Sequence, residues 1–89
     1  MYAQNPQITL IPGFTYIFRM ESVSSIHPFY ISTSPTGEGA GVYSNGVTGN
    51  NVFGNNALTF VVPMNAPAVL YYQCVVHSSM GAAMNVLQL

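Results

Sequence analysis

Short runs of aromatic and β-branched residues, separated by glycine, proline and asparagine, recur along this 89-residue chain and favour β structure throughout. Aromatic and β-branched residues favour strands, and the residues between them favour turns. We predict strands at residues 8–10, 14–20, 26–32, 57–62, 68–75 and 83–88. No stretch predicts a helix of useful length. Six to eight short strands joined by turns are typical of a Greek-key β-sandwich, so we expect residues 1–89 to form one all-β domain.

Two of these strands show the two-residue alternation that separates the faces of a sheet. In the strand at 68–75, Leu70, Tyr72 and Cys74 share one face. In the strand at 14–20, large apolar side chains share one face at every second position: Phe14, Tyr16, Phe18 and Met20.

Residues 34–56 differ from the rest of the chain, because they hold six glycines and five asparagines. These residue types supply turns and positive φ angles. We predict a long excursion with short strands near 42–43 and 47–48. It also contains apolar side chains that we expect to pack on the body of the domain: Val42, Tyr43, Val47, Val52 and Phe53.

The near-absence of charge excludes several classes of function. Arg19, Glu21 and Glu38 are the only charged side chains, or 3% of the chain, whereas ordinary soluble domains carry roughly 25%. Nucleic-acid binding is not expected, because phosphate recognition needs basic side chains. Electrostatic steering of a partner needs a charge pattern that the sequence lacks. A partner would therefore meet apolar and neutral polar surface.

Membrane insertion and export are not indicated within these residues. No apolar run approaches the roughly 20 residues of a membrane-spanning helix. Residues 1–6 lack the basic and apolar regions of a signal peptide. We expect the chain to be a piece of a longer protein, because both of its ends adjoin predicted strands.

Three side chains that bind soft metals fall within seven residues near the C-terminus. Cys74, His77 and Met80 supply a thiolate, an imidazole and a thioether, and the second histidine, His27, lies 47 residues before the cysteine. Two histidines, one cysteine and a weak axial methionine form the ligand set of mononuclear electron-transfer copper sites. A single cysteine excludes an intrachain disulfide. Met84 is close enough in sequence to compete with Met80, although loop residues carry sites more often than strand residues.

The sequence resembles the cupredoxins, the family of small blue copper proteins that includes plastocyanin and amicyanin. The resemblance covers most of the chain and rests on four features: the 10–16 segment Leu-Ile-Pro-Gly-Phe-Thr-Tyr, His27, the 72–80 pattern Tyr-x-Cys-x-x-His-x-x-Met, and a final strand. The two-residue gap between His77 and Met80 is similar to that of amicyanins. The wider pattern is similar to cupredoxin-like domains of marine microbes and their viruses. The resemblance implies one type 1 copper held by His27, Cys74, His77 and Met80.

One position departs from the family pattern. Many members have, directly after the first histidine, an asparagine that braces the cysteine loop, whereas this chain has Pro28. Ser78 or a backbone N–H would have to supply the brace instead. Zinc is the chief rival metal, because two histidines and a cysteine can bind it with water as the fourth ligand.

We therefore predict a non-enzymatic, monomeric carrier of one electron, with copper cycling between Cu(I) and Cu(II). Electrons would pass at His77 to redox partner proteins that dock on a flat apolar patch: Pro28, Val76, Met80, Gly81 and Ala82. Small interfaces suit such transient encounters. The periplasm or the thylakoid lumen would suit a soluble carrier. The alternative is a cupredoxin-fold module of a larger surface or virion protein, with a structural or vestigial metal site.

Overall fold

The computed structural model of the chain describes residues 7–22, 25, 28–74 and 81–88. Within these ranges the chain forms seven strands and no helix, and so no helix that could cross a membrane. The strands are β1 (Ile8–Leu10), β2 (Thr15–Arg19), β3 (Phe29–Ser32), β4 (Val47–Thr48), β5 (Ala57–Val61), β6 (Val69–Cys74) and β7 (Ala82–Val86).

The strands form two sheets. The four-stranded sheet has the order β1-β7-β6-β3, and the three-stranded sheet has the order β2-β5-β4. β1 runs parallel to β7, and the other pairs are antiparallel. The two central strands of the four-stranded sheet, β6 and β7, are thus the strands that flank residues 75–81.

Both sheets contribute to one hydrophobic core. Leu58 and Phe60 of β5 are fully buried with Ile31, Leu70 and Met84 of the four-stranded sheet. The rings of Phe18 in β2 and Phe29 in β3 lie 5.5 Å apart, so they join the two sheets at one end. This arrangement is that of a β-sandwich and confirms the predicted all-β class.

The predicted strands are confirmed with small shifts of their ends. The strand at 14–20 spans 15–19, and its alternation is confirmed, because Tyr16 and Phe18 are half-buried while Thr15, Ile17 and Arg19 are exposed. β3 as described begins at Phe29, directly after Pro28, which lacks the N–H that a strand residue donates. Residues 26, 27 and 75 lie outside the described ranges.

The excursion at 34–56 packs on the body only in part. The predicted strand at 47–48 is confirmed, whereas Val42 makes a single bridge with Ser32. Val52 is buried, and the ring of Tyr43 meets Phe60 edge-on at 6.0 Å. The packing predicted for Val42 and Phe53 is wrong, because both side chains are exposed.

Candidate metal centre

Cys74 is the one predicted ligand that the structure describes. It is the last residue of β6 and is only 6% exposed. His27, His77 and Met80 lie outside the described ranges. Within those ranges no three side chains of the histidine, cysteine, aspartate or glutamate type are grouped so that they could hold a metal ion. The ligand set therefore stays a prediction, and the structure defines its surroundings.

Phe29 lies directly opposite Cys74 in the pairing of β3 with β6. The N–H of Phe29 donates to the carbonyl of Val52 at 2.8 Å, and its own carbonyl accepts from the N–H of Asn51 at 2.9 Å. Both groups therefore point away from β6. Phe29 and Cys74 thus form a non-hydrogen-bonded pair, the kind whose Cα atoms approach to about 4.5 Å.

The outer edge of β3 is held by residues 50–52. The Asn50 side chain accepts a hydrogen bond from the N–H of Ile31 at 2.9 Å and donates to the carbonyl of Tyr43 at 3.1 Å. Asn51 has a φ of 73°, a left-handed conformation that asparagine tolerates better than most residues. The strand that follows His27 in sequence is consequently fixed on both of its edges.

Residues 33–41 cover the outer face of β3, which sequence alternation alone would leave exposed. Tyr30 and Ser32 are buried on this face, and their hydroxyl groups donate to the carbonyl of Ala40 at 2.9 Å and 2.6 Å. The same segment reaches β6, where the N–H of Glu38 donates to the carbonyl of Cys74 at 3.0 Å. The backbone of Cys74 is therefore fixed by a contact from outside its sheet.

Gln73, which the sequence analysis missed, is buried directly before Cys74 and is 3% exposed. Its Nε2 donates to the carbonyl of Ser34 at 3.1 Å, and its Oε1 accepts from the N–H of Gly81 at 3.1 Å. The alternation of β6 places Gln73 on the face opposite Cys74, where an amide predicts exposure. No sequence signal indicated that residues 33–41 would bury it.

Gly81 is required for space rather than for its backbone angles. A Cβ added to Gly81 would overlap the carbonyl group of Tyr72 and would lie 2.9 Å from Oε1 of Gln73. The next residue, Ala82, pairs with Tyr72 in the register of β6 with β7. A side chain at residue 81 would therefore meet the backbone of β6 where the chain returns to the sheet.

Aromatic side chains surround the inner side of this end of the sandwich. The ring of Phe29 stacks on that of Tyr72 at 5.6 Å, and Phe29 also contacts Phe18. Burial raises the pKa of the Tyr72 phenol above its ordinary value of 10.0. Cys74 shares its strand face with Tyr72, so the thiol belongs to a largely apolar and aromatic region.

Met84 belongs to the core rather than to the region of Cys74. It is fully buried and pairs with Leu70, four residues before Cys74 on β6. Four residues of strand span about 13 Å. A methionine side chain cannot reach across that distance to a metal bound by the Cys74 thiolate.

Three of the five residues of the predicted docking patch are described. Pro28, Gly81 and Ala82 are each half-buried, and Val76 and Met80 lie outside the described ranges. The patch as a whole stays a prediction.

Comparisons with known proteins return no relative: no protein-family model, no curated protein and no solved structure matches the chain.

Proposed function

We propose that this protein is a type 1 copper protein that carries one electron, with His27, Cys74, His77 and Met80 as the ligands. Copper bound by this set would supply reversible one-electron chemistry between Cu(I) and Cu(II). The residues fit the metal in kind, because thiolate and thioether are soft ligands and imidazole suits both oxidation states.

The pairing of Phe29 with Cys74 is the observation that carries the proposal. His27 precedes Phe29 by two residues, and His77 follows Cys74 by three. An extended chain advances at most about 3.6 Å per residue, so the Cα of His27 is within about 7 Å of that of Phe29. This pairing supports the proposal, because it would allow the imidazole of His27 and the thiolate of Cys74, 47 residues apart in sequence, to bind one metal ion.

The surroundings of Cys74 also support the proposal. An electron carrier works best when its ligands move little between oxidation states, which requires a rigid frame. Cys74 is the last residue of a central strand, and its carbonyl accepts a hydrogen bond from the N–H of Glu38. Phe29, opposite Cys74, is hydrogen-bonded to Val52 on the edge of β3 that faces away from β6. A buried thiol in apolar surroundings also limits the access of water to the metal.

The test is addition of Cu(II) to the purified apoprotein, followed by visible absorption and electron paramagnetic resonance spectra. We expect an intense thiolate-to-copper absorption band and a narrow copper hyperfine splitting. Cys74→Ser should abolish both, because a hydroxyl group does not replace the thiolate.

Thr59→Ala is the control, because Thr59 is a half-buried polar residue of β5 in the other sheet and its replacement leaves every predicted ligand and the contacts around Cys74 in place. It should keep the wild-type spectra. A colourless wild-type protein that binds zinc but not copper would contradict the proposal, as would a spectrum that Cys74→Ser leaves unchanged.

A second candidate function is an interaction module of a larger protein. Ile17 of β2 and Val61 of β5 are 53% and 48% exposed on the outer face of the three-stranded sheet, and charge is almost absent from the chain. Exposed apolar side chains that cluster on one face are typical of contact surfaces. This candidate predicts that Ile17→Ser changes association with the rest of the protein, whereas Cys74→Ser does not.

A further inference from the structure

We propose that Gln73 is the positioning residue of the metal loop: it takes the place of the missing family asparagine by tying Gly81, at the end of residues 74–81, to β6 and to the segment 33–41. This inference rests on the proposed copper function. Its geometry, however, involves only Gln73, Ser34 and Gly81, all of which the structure describes.

The position of Gln73 in sequence makes its side chain a link across the whole loop. It directly precedes the predicted thiolate ligand Cys74, and it accepts a hydrogen bond from Gly81, which directly follows the predicted axial ligand Met80. The Gln73 side chain thus joins the residue before the first predicted ligand of the loop to the residue after the last one.

Both halves of the Gln73 amide are used, which fixes the orientation of the side chain. Nε2 donates to the carbonyl of Ser34 while Oε1 accepts from Gly81. Because Gln73 is only 3% exposed, neither bond is readily replaced by water. The Gly81 N–H is therefore held in a fixed position relative to β6.

The contact with Ser34 ties the loop to the segment that also fixes Cys74. Ser34 belongs to residues 33–41, from which Glu38 donates to the Cys74 carbonyl. Ser32 holds Ser34 in turn, since its hydroxyl group accepts from the Ser34 N–H at 2.8 Å. Residues outside the first coordination sphere of a metal typically change its affinity by about 10–100-fold when they are removed.

The closeness of Gly81 to the Tyr72 carbonyl argues that the position of Gly81 matters. A larger residue at 81 would meet the strand backbone, so this end of the loop has little freedom to move toward β6. The Gln73 bond restrains the same residue from moving away. Restraint from both sides is what a positioning role requires.

The first measurement is hydrogen exchange of the Gly81 amide in the apoprotein, followed by nuclear magnetic resonance. Gln73→Leu removes both hydrogen bonds while keeping a side chain of similar size. We expect exchange at Gly81 to become about tenfold faster, the effect of losing one ordinary hydrogen bond. Gln88→Leu is the control, because Gln88 makes one local bond on the exposed surface, from its Nε2 to the Val86 carbonyl.

The second measurement is the copper spectrum and the copper affinity, the latter by competition with a chelator. Gln73→Leu should broaden or shift the thiolate-to-copper band, change the hyperfine splitting and lower the affinity by about 10–100-fold. Gln88→Leu should match the wild-type protein. Should Gln73→Leu fail to fold, Gln73→Asn serves instead, because its amide is shorter by about 1.5 Å and cannot span both partners.

The outcomes separate this inference from the proposed function. If hydrogen exchange of the Gly81 amide is unchanged in the Gln73 variants, the proposal that Gln73 anchors Gly81 is overturned, whatever the copper result. Faster exchange together with unchanged copper spectra and affinity overturns the positioning role while the copper function stands. A wild-type protein without a type 1 spectrum refutes the copper function, and Gly81 exchange then decides alone whether Gln73 anchors the loop.

Discussion

Replacement of Gly81 by alanine should destabilise the protein strongly through one steric contact. The φ of Gly81 lies outside the left-handed range, so an alanine at this position would not strain the backbone. The added Cβ would instead overlap the carbonyl group of Tyr72, and β7 would have to separate from β6 at the Tyr72–Ala82 pair. Such overpacking typically costs about 1–3 kcal/mol.

The same substitution also threatens the hydrogen bond from Gly81 to Gln73. The alanine Cβ would lie 2.9 Å from Oε1 of Gln73, so the side chain must move away. A buried amide oxygen left without a donor costs about 1–3 kcal/mol more. The sum, about 2–6 kcal/mol, is a large part of the stability of a small domain, about 5–15 kcal/mol.

Urea denaturation of the apoprotein, followed by circular dichroism, measures this loss. With an m value of about 1 kcal/mol per molar urea, Gly81→Ala should lower the midpoint by about 2 M or more. Gly54→Ala is the matched control. Gly54 has a φ of 71° and its added Cβ would meet only Asn56 Nδ2 at 3.6 Å, so the cost there is that of left-handed backbone, about 1–2 kcal/mol. The reasoning is refuted if Gly81→Ala lowers the midpoint no more than Gly54→Ala.

Two further predictions concern Met84 and Tyr72. Met84→Ala should lower the free energy of unfolding by about 2–5 kcal/mol and Met84→Leu by less than about 1.5 kcal/mol in urea denaturation, because Met84 is fully buried. Met84→Leu should keep the wild-type copper spectrum, whereas Met80→Leu should alter it; the reverse result would make Met84 the axial ligand. The raised pKa of Tyr72 means that the folded state holds this proton more tightly than the unfolded state, so its contribution is present below pH 10 and is lost as the pH rises through the folded-state pKa. Between pH 9 and about pH 12 the melting temperature should therefore fall less steeply with pH in Tyr72→Phe than in the wild-type protein. Equal slopes would contradict the raised pKa of Tyr72.

Local sequence patterns predicted the strands well, because strand preference and turn chemistry are local properties. β1 has the predicted bounds, and the face shared by Leu70 and Cys74 is buried as the two-residue period requires. The burial of Met84 in the core follows the same logic, since a strand residue facing the core is committed to packing. The pairing of β3 with β6 could not be read in this way, because it joins segments about 40 residues apart.

The polar contacts around Cys74 escaped prediction for a physical reason. Gln73 and Ser32 face away from the core, and an alternating strand presents such positions to solvent. They are buried because residues 33–41 fold back over the sheet, a tertiary event with no periodic signature. The glycine-rich composition of that segment predicts turns, but it does not indicate which surface the turns will cover.

The contacts that fix this end of the sandwich bear on the choice between a copper carrier and a structural module. A module needs only a stable core, and the buried apolar side chains of the two sheets supply one. The buried polar bonds made by Gln73 contribute little net stability, since a bonded amide replaces bonds to water. In the proposed copper carrier their value would lie in specificity of position, because they restrain Gly81, which directly follows three of the four predicted ligands in sequence. A copper carrier requires that restraint, since ligands that hardly move make electron transfer fast. In a module, an apolar side chain at residue 73 would cost only the stability lost with the unpaired Gly81 N–H and Ser34 carbonyl, about 1–3 kcal/mol each. Comparing the stability of Gln73→Leu with its copper spectrum therefore distinguishes the two: a stable variant with an altered spectrum supports the carrier.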